Sequence, residues 1–550
     1  SYVIRDFAAH VEGMQARDSD GRERTVRKVA KNRWRIEAAQ AAELTVSYDV
    51  WAGELNVASP WVEADGALLN GAGIFLYNEV SRGLPQEVIL QLPAGWSNVE
   101  TSLQRRDASA ALRARDFDEL VDSPIVVGTL ERHAFRVRGR PYALVFPSGN
   151  TLWDAARARE DVAKIVEAHQ EFWDADPFQR EYLFLNFFMG PFGGLEHDHS
   201  TVMMFSPWQM VRRRDYVKWL GLVSHEFFHA WNVRRMRPAA LASYDYDQEM
   251  YTRELWLAEG LSSYYDGLLL FRAGLISVNE YLDLLAQEIR NYELMPGRHV
   301  RSAERASFDT WIKHYQPDSN SINSTVSYYR KGAVIGFVTD TAIRRQTGNR
   351  ASLDTVMREM FVRYGPNGPG RGAYPPGAFE EVVEQLAGAE VRQLVEGLLR
   401  VPGDPDVDAA LDWYGLSLDR SPALSVTGAA DEPAPGGLGV TWNASGQQLL
   451  VEQVIRGRAG AEAGILPGDE LLAIDGFRVT TASYLERIRR LRPGQQVELT
   501  LARHERLLVL QAEVQWAIPE NYAVVTGDKL RRSEQRRLEA WLGKDLQFSR

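Results

Sequence analysis

The 550-residue sequence predicts a multidomain α+β protein. It reads as an N-terminal β-sandwich, a mixed middle that becomes largely helical, and a small β-rich module near the C-terminus. Three observations predict this. Apolar and polar residues alternate in short runs over the first 165 positions. Apolar residues fall at helical spacing from about 152 to 400. A linker rich in Pro, Ala, Gly and Asp over 421–435 then sets off a segment that returns to β patterning. A chain this long exceeds one core and is expected to form three or four domains.

The elements come in order. Residues 44–50, 87–92 and 142–146 alternate as half-buried strands, with turn signals at 64–67 and 92–95. Residues 155–173 form an amphipathic helix, 182–188 a strand, and 191–198 a glycine-bearing loop. From 277 to 400 the pattern is helical, broken at Pro296-Gly297, 366–372 and Pro375-Pro376. The tail, 529–541, is a charged amphipathic helix. The expected domains are 1–165, 166–420, 436–516 and a helical tail, 517–550.

Composition narrows the function classes. Lys+Arg of 63 against Asp+Glu of 74 gives a net charge of −11 and no basic stripe, which argues against nucleic acid. Arg212-Arg213-Arg214 reads as a solvated helix end. No apolar run reaches the roughly 18 residues a membrane span needs. Absence of cysteine excludes thiol catalysis, disulfides and Cys-zinc sites. The chain opens Ser1-Tyr2-Val3, which reads as a processed or truncated start. Absence of cysteine is compatible with either side of a bacterial inner membrane.

The most informative stretch is His225-Glu226-Phe227-Phe228-His229. Residues four apart share one helix face, so both imidazoles can meet one ion while Glu226 holds the proton of a bound water. Trp219, Leu220, Leu222, Val223, Ala230 and Trp231 flank it, as a buried helix requires. The bland alternative is two satisfied histidines in a buried helix. A third ligand is offered 30 positions on, where Glu259 stands inside Trp256-Leu257-Ala258-Glu259-Gly260. An ionised carboxylate in such a run costs several kcal/mol unless paired. Two His and one Glu leave one zinc position open for water. Glu254, in a more polar stretch, is the rival.

Two further segments carry chemistry. In Gly193-Gly194-Leu195-Glu196-His197 the glycines allow close approach of a substrate backbone, and Glu196 could bind a charged amino terminus. His197 is expected to face away from Glu196, and His199 is a weaker rival ligand. The bland alternative is a surface turn. In Ser327-Tyr328-Tyr329-Arg330-Lys331-Gly332 a tyrosine hydroxyl could donate to the oxyanion of a tetrahedral intermediate. Tyr329 is the better candidate and Tyr328 the runner-up.

These three motifs together resemble the gluzincin peptidases. In aminopeptidase members a Gly-x-Met-Glu-Asn segment precedes the zinc helix and a Tyr-x-Lys-Gly segment comes after it. Gly193–His197 is similar to the first, with Leu195 for Met and His197 for Asn, and Tyr329-Arg330-Lys331-Gly332 matches the second. The ligand spacing, the opening segment and the C-terminal module are more similar to the glycyl aminopeptidase family. That module resembles a PDZ domain, through Gly436-Gly437-Leu438-Gly439-Val440 and the run from Ala459 to Gly476. The resemblance implies a thermolysin-like catalytic domain with a helical extension. It also implies one Zn²⁺ per chain on His225, His229 and Glu259, with Glu226 as base and Tyr329 as oxyanion donor. Gly193, Gly194, Glu196 and Tyr328 would bind substrate, with small amino-terminal residues such as Gly or Ala preferred. Peptides are the implied substrates. Gly437, Leu438, Gly439 and Val440 would bind a protein C-terminus, or the module would dock on its own chain. A PDZ-assisted endopeptidase and a non-catalytic, chaperone-like peptide binder stay open.

Overall fold

The structure is a computed structural model that describes residues 2–38, 41, 43–105, 111–149, 152, 154–422, 435–445, 448–527 and 530–543. Most of the 421–435 linker lies outside the described residues. The chain divides into two compact units, one of residues 3–237 and 273–275, the other of residue 2, 238–272 and 276–550.

The first unit is layered. A four-stranded sheet runs Trp61–Val62, Gly66–Leu69, Ile125–Gly128, Asn98–Thr101. One face packs Ala67, Ile125 and Val127 against Leu112, Ala114, Phe117 and Leu120, making the expected β-sandwich with the sheet of Gln104–Arg105, Leu112–Ala114 and Gln86–Val88. The other face packs Leu68 and Val126 against a second, five-stranded sheet. Each face of Ile125–Gly128 therefore meets a core, which explains its unbroken apolar sequence.

The five-stranded sheet comprises β1 (Leu130–Val137), β2 (Arg140–Pro147), β3 (Tyr182–Phe187), β4 (Gly193–Glu196) and β5 (Ser200–Met204), in the order β1-β2-β3-β5-β4. β2, β3 and β5 are parallel, and β4 returns antiparallel to β5. This sheet crosses residue 165, because the hairpin of residues 130–147 pairs with β3 rather than ending the sandwich. Its outer face carries helices α1 (Ala155–Trp173) and α2 (Arg213–Phe228). Phe227 of α2 lies 5.2–6.2 Å, ring to ring, from Tyr182, Phe184, Phe178 and Tyr142.

In the second unit, α3 (Leu261–Arg272) and α4 (Tyr328–Thr347) are mostly buried helices. The PDZ-like module is inserted between two paired strands, Leu416–Ser421 and Asn521–Thr526. The C-terminal segment beyond these strands is not a separate tail. Helix α5 (Arg532–Leu542) docks on the helical core, with Trp541 fully buried and its Nε1 donating to the Tyr264 hydroxyl at 2.9 Å. Tyr264 in turn donates to Asp340, which pairs with Arg344 at 3.0 Å. One buried tryptophan with a satisfied N–H, about 1.5–3 kcal/mol or more of apolar burial, explains why a charged helix of this length stays folded.

Within the module, Val440–Ser445 is the terminal strand of its sheet. Asp475 and Gly476 both take positive φ, 51° and 76°, at the expected Asp-Gly turn. Among the described residues no helix is long and apolar enough to cross a membrane.

Candidate active site

α2 is an amphipathic helix with Trp219, Leu220, Val223 and Phe227 fully buried, and it ends where His229 caps it. His225 and His229 stand one turn apart with ring centroids 4.7 Å apart. His229 Nδ1 lies 2.7 Å from the Asn232 carbonyl, so Nδ1 carries the proton and Nε2 presents its lone pair. Glu226 and His229 are 5% and 2% exposed.

β4 is an extended strand, not the expected loop, and it is the outermost strand of its sheet. Side chains alternate along it. Gly194 and Glu196 therefore share a face, and that face is turned to α2. A Cβ on Gly194 would fall 2.1 Å from Glu226 Oε1, whereas one on Gly193 meets nothing within 4 Å. The missing side chain of Gly194 thus leaves room for the Glu226 carboxylate. Glu196, Glu226 and His229 each offer a ligand atom within 4.8 Å of the others. His197 points the other way, Nδ1 to Asp122 at 3.2 Å, beside Arg234, which pairs with Asp122 and Asp198 at 2.8 Å each. His199 packs on Phe178, and burial together with the Arg180 charge pushes its pKa down to about 4.

In the second unit Glu259 sits in one turn of π-helix, Trp256–Gly260, and is 3% exposed. Glu254, its rival, accepts from the Thr252 hydroxyl and from the Arg253 N–H at 3.0 Å, capping its own turn. The motif glycines explain how the Glu259 turn meets α4. A Cβ on Gly260 would lie 2.5 Å from Gly332 Cα, and one on Gly332 2.7 Å from Gly260 Cα. The two backbones cross at glycine on both sides. Lys331, fully buried, ties this crossing to the carbonyls of Arg298, Arg301 and Gly403 at 3.2–3.4 Å. Burial lowers its pKa to about 8.

The two tyrosines separate. Tyr328 is fully buried and its hydroxyl accepts from Thr310 at 3.0 Å, so it packs rather than lining a substrate pocket as expected. Tyr329 is half-buried, stacked on His314 and 3.3 Å, hydroxyl to hydroxyl, from Tyr315. Its desolvated surroundings and then the charge of Glu259 hold its phenol well above the usual pKa, so it stays a proton donor. His314 and Tyr315 escaped sequence reasoning because nothing local marks them. The glycine ending each motif was the one available signal for the helix crossing.

In the PDZ-like module, Leu438 and Gly439 carbonyls accept from Gly460 and Ile455 N–H groups at 2.7 and 2.8 Å, and Gly439 has φ +67°. This shapes the 437–440 loop beside the open edge of Val440–Ser445. Trp442 and the helical Tyr484 lie 5.4 Å apart, ring to ring.

Two imidazoles on one helix face, an interior carboxylate beside them and an acid on an edge strand make up a site of the peptidase class. Residues 218–335 match the M61 glycyl aminopeptidase model, 1–129 the M61 peptidase N-terminal domain, and 436–514 the PDZ domain. The chain is similar to an aminopeptidase N family protein from Idiomarina loihiensis, at 30% identity over 98% of this chain and 93% of that one, with a TM-score of 0.90. It is also similar to an M1 zinc metallopeptidase from Deinococcus radiodurans, at 15% identity over 72% of this chain and 85% of that one, TM-score 0.45. A search of curated proteins finds no match. The chain belongs to the M61 glycyl aminopeptidase family, and it is a peptidase that carries a PDZ domain.

Proposed function

We propose that this peptidase is a zinc aminopeptidase that removes small amino-terminal residues, Gly or Ala, from peptides. One Zn²⁺ would be held by His225, His229 and Glu259, a donor set suited to zinc in number and kind. The fixed tautomer of His229 fits that use. The ion, when bound, supplies a Lewis acid and lowers the pKa of a water. Glu226 takes that water's proton and passes it to the leaving amine. The Tyr329 hydroxyl donates to the developing oxyanion. The open edge of β4, including Gly193, aligns the substrate backbone as an added strand. Glu196 holds the substrate ammonium.

One observation carries the exopeptidase reading: Glu196 lies within 4.8 Å of Glu226 and His229, ligand atom to ligand atom. In an amino-terminal substrate only Cα separates the ammonium nitrogen from the scissile carbonyl. Groups serving the two must therefore be near neighbours. The loop 437–440 of the PDZ domain would capture a peptide carboxylate, from another protein or from its own chain.

The test is hydrolysis of fluorogenic Gly and Ala amides, with and without chelator, alongside metal analysis. Activity should disappear with the metal. Glu196→Ala should depress cleavage of free-amine peptides far more than of N-blocked ones. Equal losses on both would make the enzyme an endopeptidase.

A further inference from the structure

Glu259 has a partner from the far end of the chain. Its Oε1 accepts a 2.8 Å hydrogen bond from the Tyr2 hydroxyl, across 257 positions of sequence. Tyr2 falls in the same compact unit as Glu259, and it is half-buried. Glu259 is 3% exposed, and the residues of its turn, Trp256, Leu257, Ala258 and Gly260, are all buried, so the carboxylate is held away from bulk water. A phenol is a particular choice of donor there. Lys or Arg would cancel the carboxylate charge and compete for it with a cation. A neutral O–H favours the ionised form and leaves the charge in place. Holding Oε1 also sets the rotation of the carboxylate, and with it the direction of Oε2.

We propose that Tyr2 is the positioning residue of Glu259, presenting its carboxylate to a divalent cation in one fixed orientation. The inference rests on the reading of Glu259 as a zinc ligand. Outer partners of metal ligands typically contribute about 10–100-fold in metal affinity.

Tyr2→Phe keeps the ring and removes only the hydrogen bond. In the full chain, zinc affinity measured against a competing chelator should fall about 10–100-fold. The visible bands of the Co²⁺-substituted protein should shift, while the zinc-free protein unfolds at the wild-type temperature. Glu259→Ala, measured in parallel, should lose zinc altogether. Wild-type zinc binding by Glu259→Ala would sink the ligand reading itself. Loss of zinc there, together with wild-type affinity and cobalt spectrum in Tyr2→Phe, would overturn the role of Tyr2 alone. A Tyr2→Phe protein whose affinity loss merely tracks a lower unfolding temperature would make Tyr2 a packing residue, and the proposal would also fall.

Discussion

Gly194→Ala is the most economical perturbation of this site. The added methyl would lie 2.1 Å from Glu226 Oε1, 2.3 Å from Cδ and 2.6 Å from Cγ. Ordinary carbon contacts begin near about 3.5 Å, so the carboxylate must retreat by about 1 Å or more. The backbone at 194 has no positive φ, so alanine itself is unstrained. The obstruction is the end of a flexible side chain, so folding should hardly suffer. Catalysis should, because a misplacement of about 1 Å costs roughly 10²-fold in rate. The expected outcome is a kcat about 10²-fold lower with full zinc content and an unchanged unfolding temperature. Gly221→Ala is the matched control: it adds a methyl to α2 where nothing lies within 4 Å. The assay is steady-state hydrolysis of a Gly amide with metal analysis of both variants. Wild-type kcat in Gly194→Ala would refute the account of why glycine stands there, and so would a loss explained by missing zinc.

Three other outcomes are expected. Glu226→Gln should retain zinc and lose nearly all turnover, since the amide matches the carboxylate in shape but cannot take the proton; single-turnover hydrolysis checks it. Gly332→Ala would drive a methyl to 2.7 Å from Gly260 Cα and Trp256 O, both backbone atoms that no rotamer relieves. It should cost about 1–3 kcal/mol of stability, read by chemical denaturation of the zinc-free protein. His169 predicts an acid sensitivity. It is fully buried beneath α2, with Nδ1 2.8 Å from Ile165 O and Nε2 3.0 Å from the carbonyl and 3.4 Å from the hydroxyl of Ser224, next to His225. Burial pushes its pKa from 6.5 down to about 4. The folded value lies below the unfolded one, so the contribution is whole above pH 6.5 and fades as pH falls toward 4. It amounts to at most about 3 kcal/mol. Zinc-free wild type should lose more stability than His169→Gln between pH 7 and 4.5; parallel losses would refute it.

Much of this protein was legible in its residues. Apolar spacing located α1 at 155–173 and the buried helix around His225 because long, strongly periodic segments report their own burial. The spacing of His225, Glu226 and His229 placed two imidazoles and an acid on one helix because helical geometry is local. The module from Gly436 was readable because its turns demand particular residues, Asp475-Gly476 among them. Other features depend on partners distant in sequence, which no local pattern encodes. Residues 193–196 read as a loop because two glycines weaken strand propensity. They form a strand because β5 supplies the hydrogen bonds. Gly194 reads as a glycine for close substrate approach, and that its missing side chain also makes room for Glu226 is a tertiary contact. Tyr328 and Tyr329 are neighbours of equal chemistry, and only Thr310 and Tyr315 tell them apart. The sequence by itself determined which chemistry this chain can carry, since that depends on residue type and helical spacing. Tertiary structure alone decided which face of β4 meets Glu226, which tyrosine packs, and that Tyr2 reaches Glu259, because these are contacts made only when segments far apart in the chain fold onto one another.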